Sequence, residues 1–519
     1  MHEVVTLQLG QQANYLGTHF WNTQESYFTY AGQEESPVDH DISFRAGIGA
    51  DGNDTYTPRT LIYDLKGAFG TLRRENALYE LQHQPDPTQQ GPWGGSTIPL
   101  HLPSIAPSSY QQALDQGTSP PQLTTGTVRF WSDYNHLFYH PRSIVQLNEY
   151  ELNSSLMPFE KWQTGVELFS SLDREHDLLD RDLRPFLEEC DQLQALQIFT
   201  STDDAWGGFT SRYLERISDE LGKGCRWVFG LKDGKQNTRG TQMLQLSNWA
   251  QSLYGMDAHA SVHIPVSTPP SPLPPYIHLD AYSPWHISAL ATAMVESITM
   301  PARLRSSEAA RATYDQMEAT LNNEGNRRIA AANISIEDPG ALQSGVEVGG
   351  QHDTRMTNGI TNGDLHDEET KDDLAMFPHM FGGNVGHGRR LGRTTHTFSR
   401  LESLRGPWKS SEEIESMNIE SRDRFAGGLR TSTHQCQLLF PILSSYPRIF
   451  NFDGRPERFA IKTTLSASTV VADQVRELER MTRRLIDIDE REAICDGLAS
   501  IADEYEEGWN GSDDSDDND

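Results

Sequence analysis

The chain has 519 residues, with 43 basic and 74 acidic side chains and a formal net charge of −31. That charge excludes a protein that grips nucleic acid through its phosphates or spreads over anionic lipid. A hydrophobic content of 36% is low for a chain packed from end to end, so part of it is expected to remain disordered.

The acid is unevenly spread. Residues 503–519 hold nine acids and no Lys or Arg, and residues 364–373 hold six acids and one Lys. The four cysteines, Cys190, Cys225, Cys436 and Cys495, stand far apart without CxxC spacing and read as reduced thiols. No apolar stretch approaches the roughly 20 residues of a membrane-spanning helix. The opening Met1-His2-Glu3-Val4-Val5 enters a strand at once. It has neither an apolar secretory core nor an Arg- and Ser-rich amphipathic presequence. A protein of this kind that works at an organelle is expected to act from its cytosolic side.

In chain order, residues 4–9 form a β-prone apolar run that Gly10 breaks. Residues 11–24 carry Leu16, Phe20 and Trp21 at helical spacing. A polar, Gly- and Asp-rich loop over 27–56 leads to a second strand at 60–65. Residues 85–126, rich in Pro, Gln, Ser and Gly, read as an insertion with little regular structure. The spacing predicts helix over 162–189, strand over 193–199, a turn over 201–208 and helix over 210–221. Strand at 227–231, helix at 241–254 and strand at 260–265 follow. This alternation predicts a parallel α/β sheet. Beyond a Pro-rich loop at 266–275, residues 285–300 form a strongly apolar helix. Residues 331–374 read as a disordered insertion, 437–440 as a strand, and 472–486 and 490–505 as helices before the acidic tail.

Four ordered segments carry a resemblance. MHEVVTLQLGQQANYLGTHFW (residues 1–21) resembles the opening of tubulin, with Glu3, Gly10, Gln11, Asn14, Gly17, Phe20 and Trp21 in place. YTPRTLIYDL (56–65) resembles tubulin's second strand. ECDQLQALQIF (189–199) resembles the strand before its glycine-rich signature loop. SPWHISALATAMVESITMPARLR (283–305) resembles the long helix after the loop that completes a neighbour's nucleotide site. VRFWSDYNHLFYHPRSI (128–144) is not tubulin-like but is similar to the characteristic segment of the Misato family, tubulin-like proteins of mitochondrial inheritance.

The resemblance implies a tubulin/FtsZ-like α/β fold. A parallel Rossmann-like sheet flanked by helices is expected over 1–265, and a core helix with its connection over 276–330. An acidic disordered insertion should fill 331–375. An α+β second domain with C-terminal helices should span 376–502, and a disordered tail 503–519.

A GTPase of this fold holds phosphate with backbone N–H groups at a helix N-terminus, reached through glycines. Here the equivalent stretch is Ser201-Thr202-Asp203-Asp204-Ala205-Trp206-Gly207-Gly208-Phe209-Thr210, with only two glycines. Asp203 and Asp204 bring negative charge to the phosphate position, and Trp206 adds bulk. The stretch reads as an altered nucleotide site or, in the plainer reading, as a strand–helix turn without ligand. Gly10, Gln11, Asn14, Gly207 and Gly208 are the vestigial nucleotide-site residues that the resemblance implies. The second glycine-bearing loop of tubulin would fall at 131–141, where there is no glycine. The acid that tubulins present across the subunit interface would fall near Pro284-Trp285-His286, where neither Asp nor Glu stands. His286 reads as a cap or surface residue rather than a base.

Two glycine-rich stretches fail their context. Gly47 to Gly52 fits G-x-G-x-x-G but precedes no helix, and Gly382 to Arg390 lacks a P-loop's Lys-Ser/Thr ending. His379 and His387 are too isolated for a metal.

The implied function is non-enzymatic, with no catalytic residue, metal or cofactor. It concerns mitochondrial distribution and the partitioning of the organelle and its DNA. The expected partners are proteins, cytoskeletal or chaperonin in kind, with peripheral association at mitochondria and residence in the cytoplasm. No direct nucleic-acid contact is expected. The alternatives are a GTP-binding, polymerising tubulin-like GTPase and a tubulin-interacting regulator.

Overall fold

The computed structural model describes residues 2–29, 35–48, 54–72, 105–222, 224–234, 237–269, 272–340, 373–378, 395–408, 429–452, 456–486 and 488–506. The chain opens with β1 (Glu3–Leu9) and α1 (Gln11–Glu25), then a hairpin of β2 (Phe44–Ile48) and β3 (Asp54–Pro58), and β4 (Thr60–Lys66). After α2 (Ser109–Asp115) come β5 (Ile144–Glu151), α3 (Trp162–His176), α4 (Arg184–Glu188), β6 (Leu193–Ser201) and α5 (Ala205–Leu221). Then follow β7 (Cys225–Lys232), α6 (Arg239–Asp257) and β8 (Val262–Ser267). These build a six-stranded parallel sheet of order β5-β4-β1-β6-β7-β8. Every residue of β1 is buried, as expected for a strand covered on both faces.

The next helix, α7 (Pro284–Thr299), is buried without a break from Ser288 to Thr299. Apolar side chains on all its faces make it a central helix rather than a surface one. It packs on α1 on one side and on the second sheet on the other. That sheet follows α8 (Tyr314–Leu321) and is built from β9 (Ala331–Glu337), β10 (Leu374–Ala375), β11 (Thr397–Arg405), β12 (Arg430–Cys436), β13 (Phe440–Pro441) and β14 (Arg458–Ser468). Its order is β10-β9-β14-β11-β12, with β13 on β14. Only β11 and β12 run parallel. The helices α9 (Thr469–Thr482) and α10 (Ile488–Glu504) close the fold against α6.

A buried ionic knot joins the two halves. Glu296 on α7 accepts from Arg303 (3.1 Å), Gln24 (3.1 Å), the Tyr27 hydroxyl (3.2 Å) and Arg405 of β11. Arg405 also donates to the Leu438 and Leu439 carbonyls, 2.9 Å each.

Several expectations are corrected. The insertion foreseen over 331–375 begins later, because Ala331–Glu337 is largely buried as β9 and pairs with β14. The second sheet therefore starts at 331 rather than 376. Within 85–126, residues 109–115 are helical, since Ser108 caps the turn through its hydroxyl and Tyr110 is fully buried. The loop expected over 27–56 contains the β2–β3 hairpin. The strand expected at 437–440 lies earlier, at Arg430–Cys436. Helix α5 starts at Ala205, because Asp204 caps it. Residues 341–372, 379–394 and 507–519 lie outside the described residues. They include most of the acidic insertion, the Gly382 to Arg390 stretch, His379, His387 and most of the tail.

Candidate functional site

The carboxyl ends of β1, β4, β6 and β7 meet where the strand order turns back on itself, which is where open α/β sheets hold ligands. Gly10 makes the first turn with φ +92°, a conformation that L side chains rarely adopt. Its N–H donates to the Tyr63 carbonyl at 3.1 Å. Gln11 donates through Nε2 to the Ala68 carbonyl at 3.4 Å, a weak bond. Asn14 is fully buried and donates to Asp64 Oδ2 (2.7 Å) and to the Tyr63 carbonyl (3.2 Å).

Asp64, matched in the sequence only as part of the second-strand resemblance, was not expected as a site residue. It also accepts from Leu65 N (2.9 Å) and from the Trp131 indole (3.2 Å). Burial pushes its pKa up to about 7, against the three hydrogen bonds that favour its charged form. Trp131 comes from residues 128–144, the segment read above as similar to the Misato family rather than to tubulin. That segment lies across α1, with Tyr134 OH donating to the Tyr15 carbonyl at 2.9 Å and Asn22 donating to the Tyr134 carbonyl at 2.8 Å.

The turn after β6 is satisfied from within. Asp204 accepts from Trp206 N (2.9 Å) and from the Ser201 hydroxyl (2.8 Å). Asp203 accepts from Asp233 N (2.9 Å) and Gln245 Nε2 (3.1 Å). Asn248 reaches the Asp203 carbonyl at 3.0 Å, and Ser252 reaches the Thr202 carbonyl at 2.8 Å. Burial raises the pKa of both carboxyls, with like-charge repulsion from Asp233 adding to the rise at Asp203 and from Asp203 adding to the rise at Asp204.

The indole of Trp206 is 3% exposed and lies directly on Gly10. Phe159 and Phe209 hold it edge to face, with ring centroids 5.3 and 5.5 Å away. The space above the β1–α1 turn is therefore filled by the protein's own side chain.

Gly207 and Gly208 lie inside α5 and not in the turn. A Cβ on Gly208 would stand 1.9 Å from the Trp162 carbonyl oxygen, and one on Gly207 would stand 2.0 Å from Ser252 Oγ. Their smallness serves the approach of α5 to α3 and α6. The structure thus gathers Gly10, Gln11 and Asn14 around Asp64 and leaves the two later glycines to helix packing.

Two further expectations are corrected. The loop leading into α3 is 152–161, after β5, rather than 131–141, and it also lacks glycine. Pro284, Ile287 and Ser288 of α7 line a cleft in this chain's own core, with Gln12, Leu16 and Thr268. The start of that helix therefore contributes to a cleft of its own chain rather than to the position expected for a neighbour's acid. His286 accepts from Asp280 N at 3.2 Å and serves as a local turn cap. Gly47 belongs to β2, which pairs antiparallel with β3, and residues 49–53 lie outside the described residues. Among the described residues, no group of three or more His, Cys, Asp or Glu is arranged for a metal, and no helix is long and apolar enough to cross a membrane.

Fold and site together define a tubulin-like protein. Residues 120–304 match a tubulin domain, and residues 2–116 match the Misato Segment II tubulin-like domain. The chain is 46% identical over 527 residues to Protein DML1 of Phaeosphaeria nodorum and 44% identical over 525 residues to Protein dml1 of Aspergillus oryzae, in both cases across all of both chains. It is 31% identical over 357 residues to Protein dml1 of Schizosaccharomyces pombe, covering 65% of this chain and 73% of that one. The chain belongs to the Misato/DML1 family of tubulin-like proteins.

Proposed function

We propose that this chain is a tubulin-fold protein without GTPase chemistry, acting as an interaction scaffold in mitochondrial distribution and in partitioning of the organelle and its DNA. The observation that carries the non-enzymatic part is Trp206 on Gly10, beside the buried carboxyls of Asp203 and Asp204. A triphosphate there would have to displace an indole packed on two aromatic rings and approach two carboxyls. The mitochondrial part rests on the resemblance to the Misato family. In this reading the partners are proteins of cytoskeletal or chaperonin type, the site of action is the cytosolic face of mitochondria, and mitochondrial DNA is inherited without direct contact.

Titration of the full chain with a fluorescent guanine nucleotide and magnesium tests the first part. The expected result is no saturation up to about 100 μM. Micromolar saturable binding abolished by Gln11→Ala would establish the rival reading, a GTP-binding tubulin-like protein. For the second part, salt should strip the protein from isolated mitochondria, and protease should digest it with the outer membrane intact. A protease-protected pool would overturn that placement.

A further inference from the structure

The two sheets diverge beside β8. The first half of β8 is closed by residues 328–330: His263 N donates to the Arg328 carbonyl at 2.7 Å, and Ala330 N donates to the His263 carbonyl at 2.9 Å. At Ala331 the chain passes into β9 of the second sheet. Further along, Met376 bridges β8 and β9. Its N–H donates to the Ala332 carbonyl and its carbonyl accepts from Ser267 N, 2.8 Å each. Just before it, Leu374 and Ala375 pair with Ile334 and Asn333 as β10.

Residues 338–373 lie between β9 and β10, where a hairpin loop has about two to five. No tight turn sets the register of β10, so its own docking contacts set it. Those contacts have the form of a peptide in a strand-addition site: main-chain bonds on both sides, and side chains seated alternately. Leu374 and Met376, on one face, join the core that includes Leu290 and Ala291 of α7. Phe377, on the other face, joins the core that includes Val471 and Leu478 of α9. All three are buried. Asp373 accepts from the Ser335 hydroxyl of β9 and lies 3.7 Å from Lys462 Nζ of β14. Pro378 follows and cannot donate to a ladder, which ends the strand.

We propose that β10 is an intramolecular ligand: it occupies a strand-addition site between β8 and β9, and the site takes an extended segment of a partner protein in its place. The chemistry of the occupant defines that of the partner segment, an acid followed by apolar, any, apolar and apolar residues. The acid meets Ser335 and Lys462, the first and third of the following positions meet the α7 side, and the fourth meets the α9 side. A partner competes with a strand tethered in the same chain, whose effective concentration is on the order of millimolar. Capture therefore follows release of β10. The site gives the scaffold reading a mode of partner capture, yet it stands whether or not nucleotide binds.

A fluorescein-labelled copy of residues 372–378, Asp-Asp-Leu-Ala-Met-Phe-Pro, tests this. It is titrated into the full chain and into the full chain carrying Leu374→Ser, Met376→Ser and Phe377→Ser, which frees the site. The triple variant should bind it at micromolar concentration, and the wild type about tenfold or more weakly, because its own strand competes. A peptide with Ser at the three apolar positions should bind neither protein, and Asn for the second Asp should weaken binding about threefold or more. No binding by the variant, while its β9 and β14 keep wild-type hydrogen-exchange protection, overturns the proposal. The wild type supplies a second test that does not need the variant to fold. Excess peptide should speed exchange at the Met376 amide and leave the Ser267 amide protected, because the peptide carbonyl takes the place of that of Met376. A Met376 amide that exchanges only in step with β9, with or without peptide, overturns the proposal. A dimer that grows with concentration and that the peptide dissolves assigns the site to a second copy and overturns the partner reading.

Discussion

Gly10 and Trp206 are a matched pair: a Cβ built on Gly10 would stand 2.5 Å from Cδ1 of the Trp206 indole. The glycine is required twice, by its φ of +92° and by the ring above it. The two requirements separate in a double-mutant cycle. Gly10→Ala alone should cost about 1–3 kcal/mol for the backbone conformation plus the cost of displacing the ring. In a Trp206→Ala background only the backbone part should remain, so the two changes should couple by about 1 kcal/mol or more. Urea unfolding of the four proteins measures this. Additive losses would mean that the indole does not rest on the turn.

Asp64 sets a pH dependence whose sign can be worked out. Its folded pKa lies near 7, above the usual carboxylate value, so the folded protein holds a proton that the unfolded chain releases. Between about pH 4 and 7, Asp64 therefore makes the protein less stable as pH rises. Asp64→Asn cannot ionise, so the variant should gain on the wild type across that window, by a few kcal/mol in total, and run parallel to it outside. His19 acts in the opposite direction. Burial lowers its pKa to about 3, so its contribution is lost as pH falls from about 6.5. A constant difference between wild type and Asp64→Asn from pH 4 to 8 would show that the carboxyl is not held neutral by burial.

The first half of the fold was legible because its signals are local. The strand at 4–9, Gly10 and the helix after it form one uninterrupted pattern, and the structure keeps it with β1 ending at Leu9. The second sheet was harder to read. Ala331–Glu337 is short and set beside an Asp- and Gly-rich stretch, and only its long-range pairing with β14 makes it a strand. The site was half legible. Asn14 was found by resemblance, but Asp64 gains its character from burial under Trp131, 67 residues away, which no local pattern encodes. The glycines at 207 and 208 were noticed for the right reason, close approach, but the thing approached is another helix.

That correction is itself testable. Gly208→Ala should gain helix propensity of up to about 1 kcal/mol but force a methyl against the Trp162 carbonyl, for a net loss of about 1–3 kcal/mol. Gly165→Ala, on the facing helix α3, meets the Ala205 carbonyl oxygen at 1.7 Å and should lose as much. Gly240→Ala on α6 meets nothing within 4 Å and should be neutral or slightly stabilising. Thermal unfolding of the three variants distinguishes packing from ligand binding. If Gly208→Ala were as stable as wild type, the packing role would be wrong and the glycine would need another explanation.

The knot at Glu296 makes the strongest demand on stability. One fully buried carboxylate faces two guanidinium groups, so the cluster carries a net positive charge in the interior. Burying charge is costly unless every partner is present, and removing one partner usually costs more than removing all. Glu296→Gln leaves Arg303 and Arg405 facing each other and should destabilise the protein by about 3–5 kcal/mol. The triple variant Glu296→Met, Arg303→Met, Arg405→Met removes the charges together and should lose less than Glu296→Gln alone. The position of the cluster adds a second readout. Arg405 belongs to β11 and Glu296 to α7, which packs on α1, so the single variant should loosen the second sheet before the first. Hydrogen exchange should rise earlier in β11 and β12 than in β1 and β6 as urea is added. Simultaneous opening of both sheets would mean that the apolar contacts of α7, and not the ionic knot, hold the halves together.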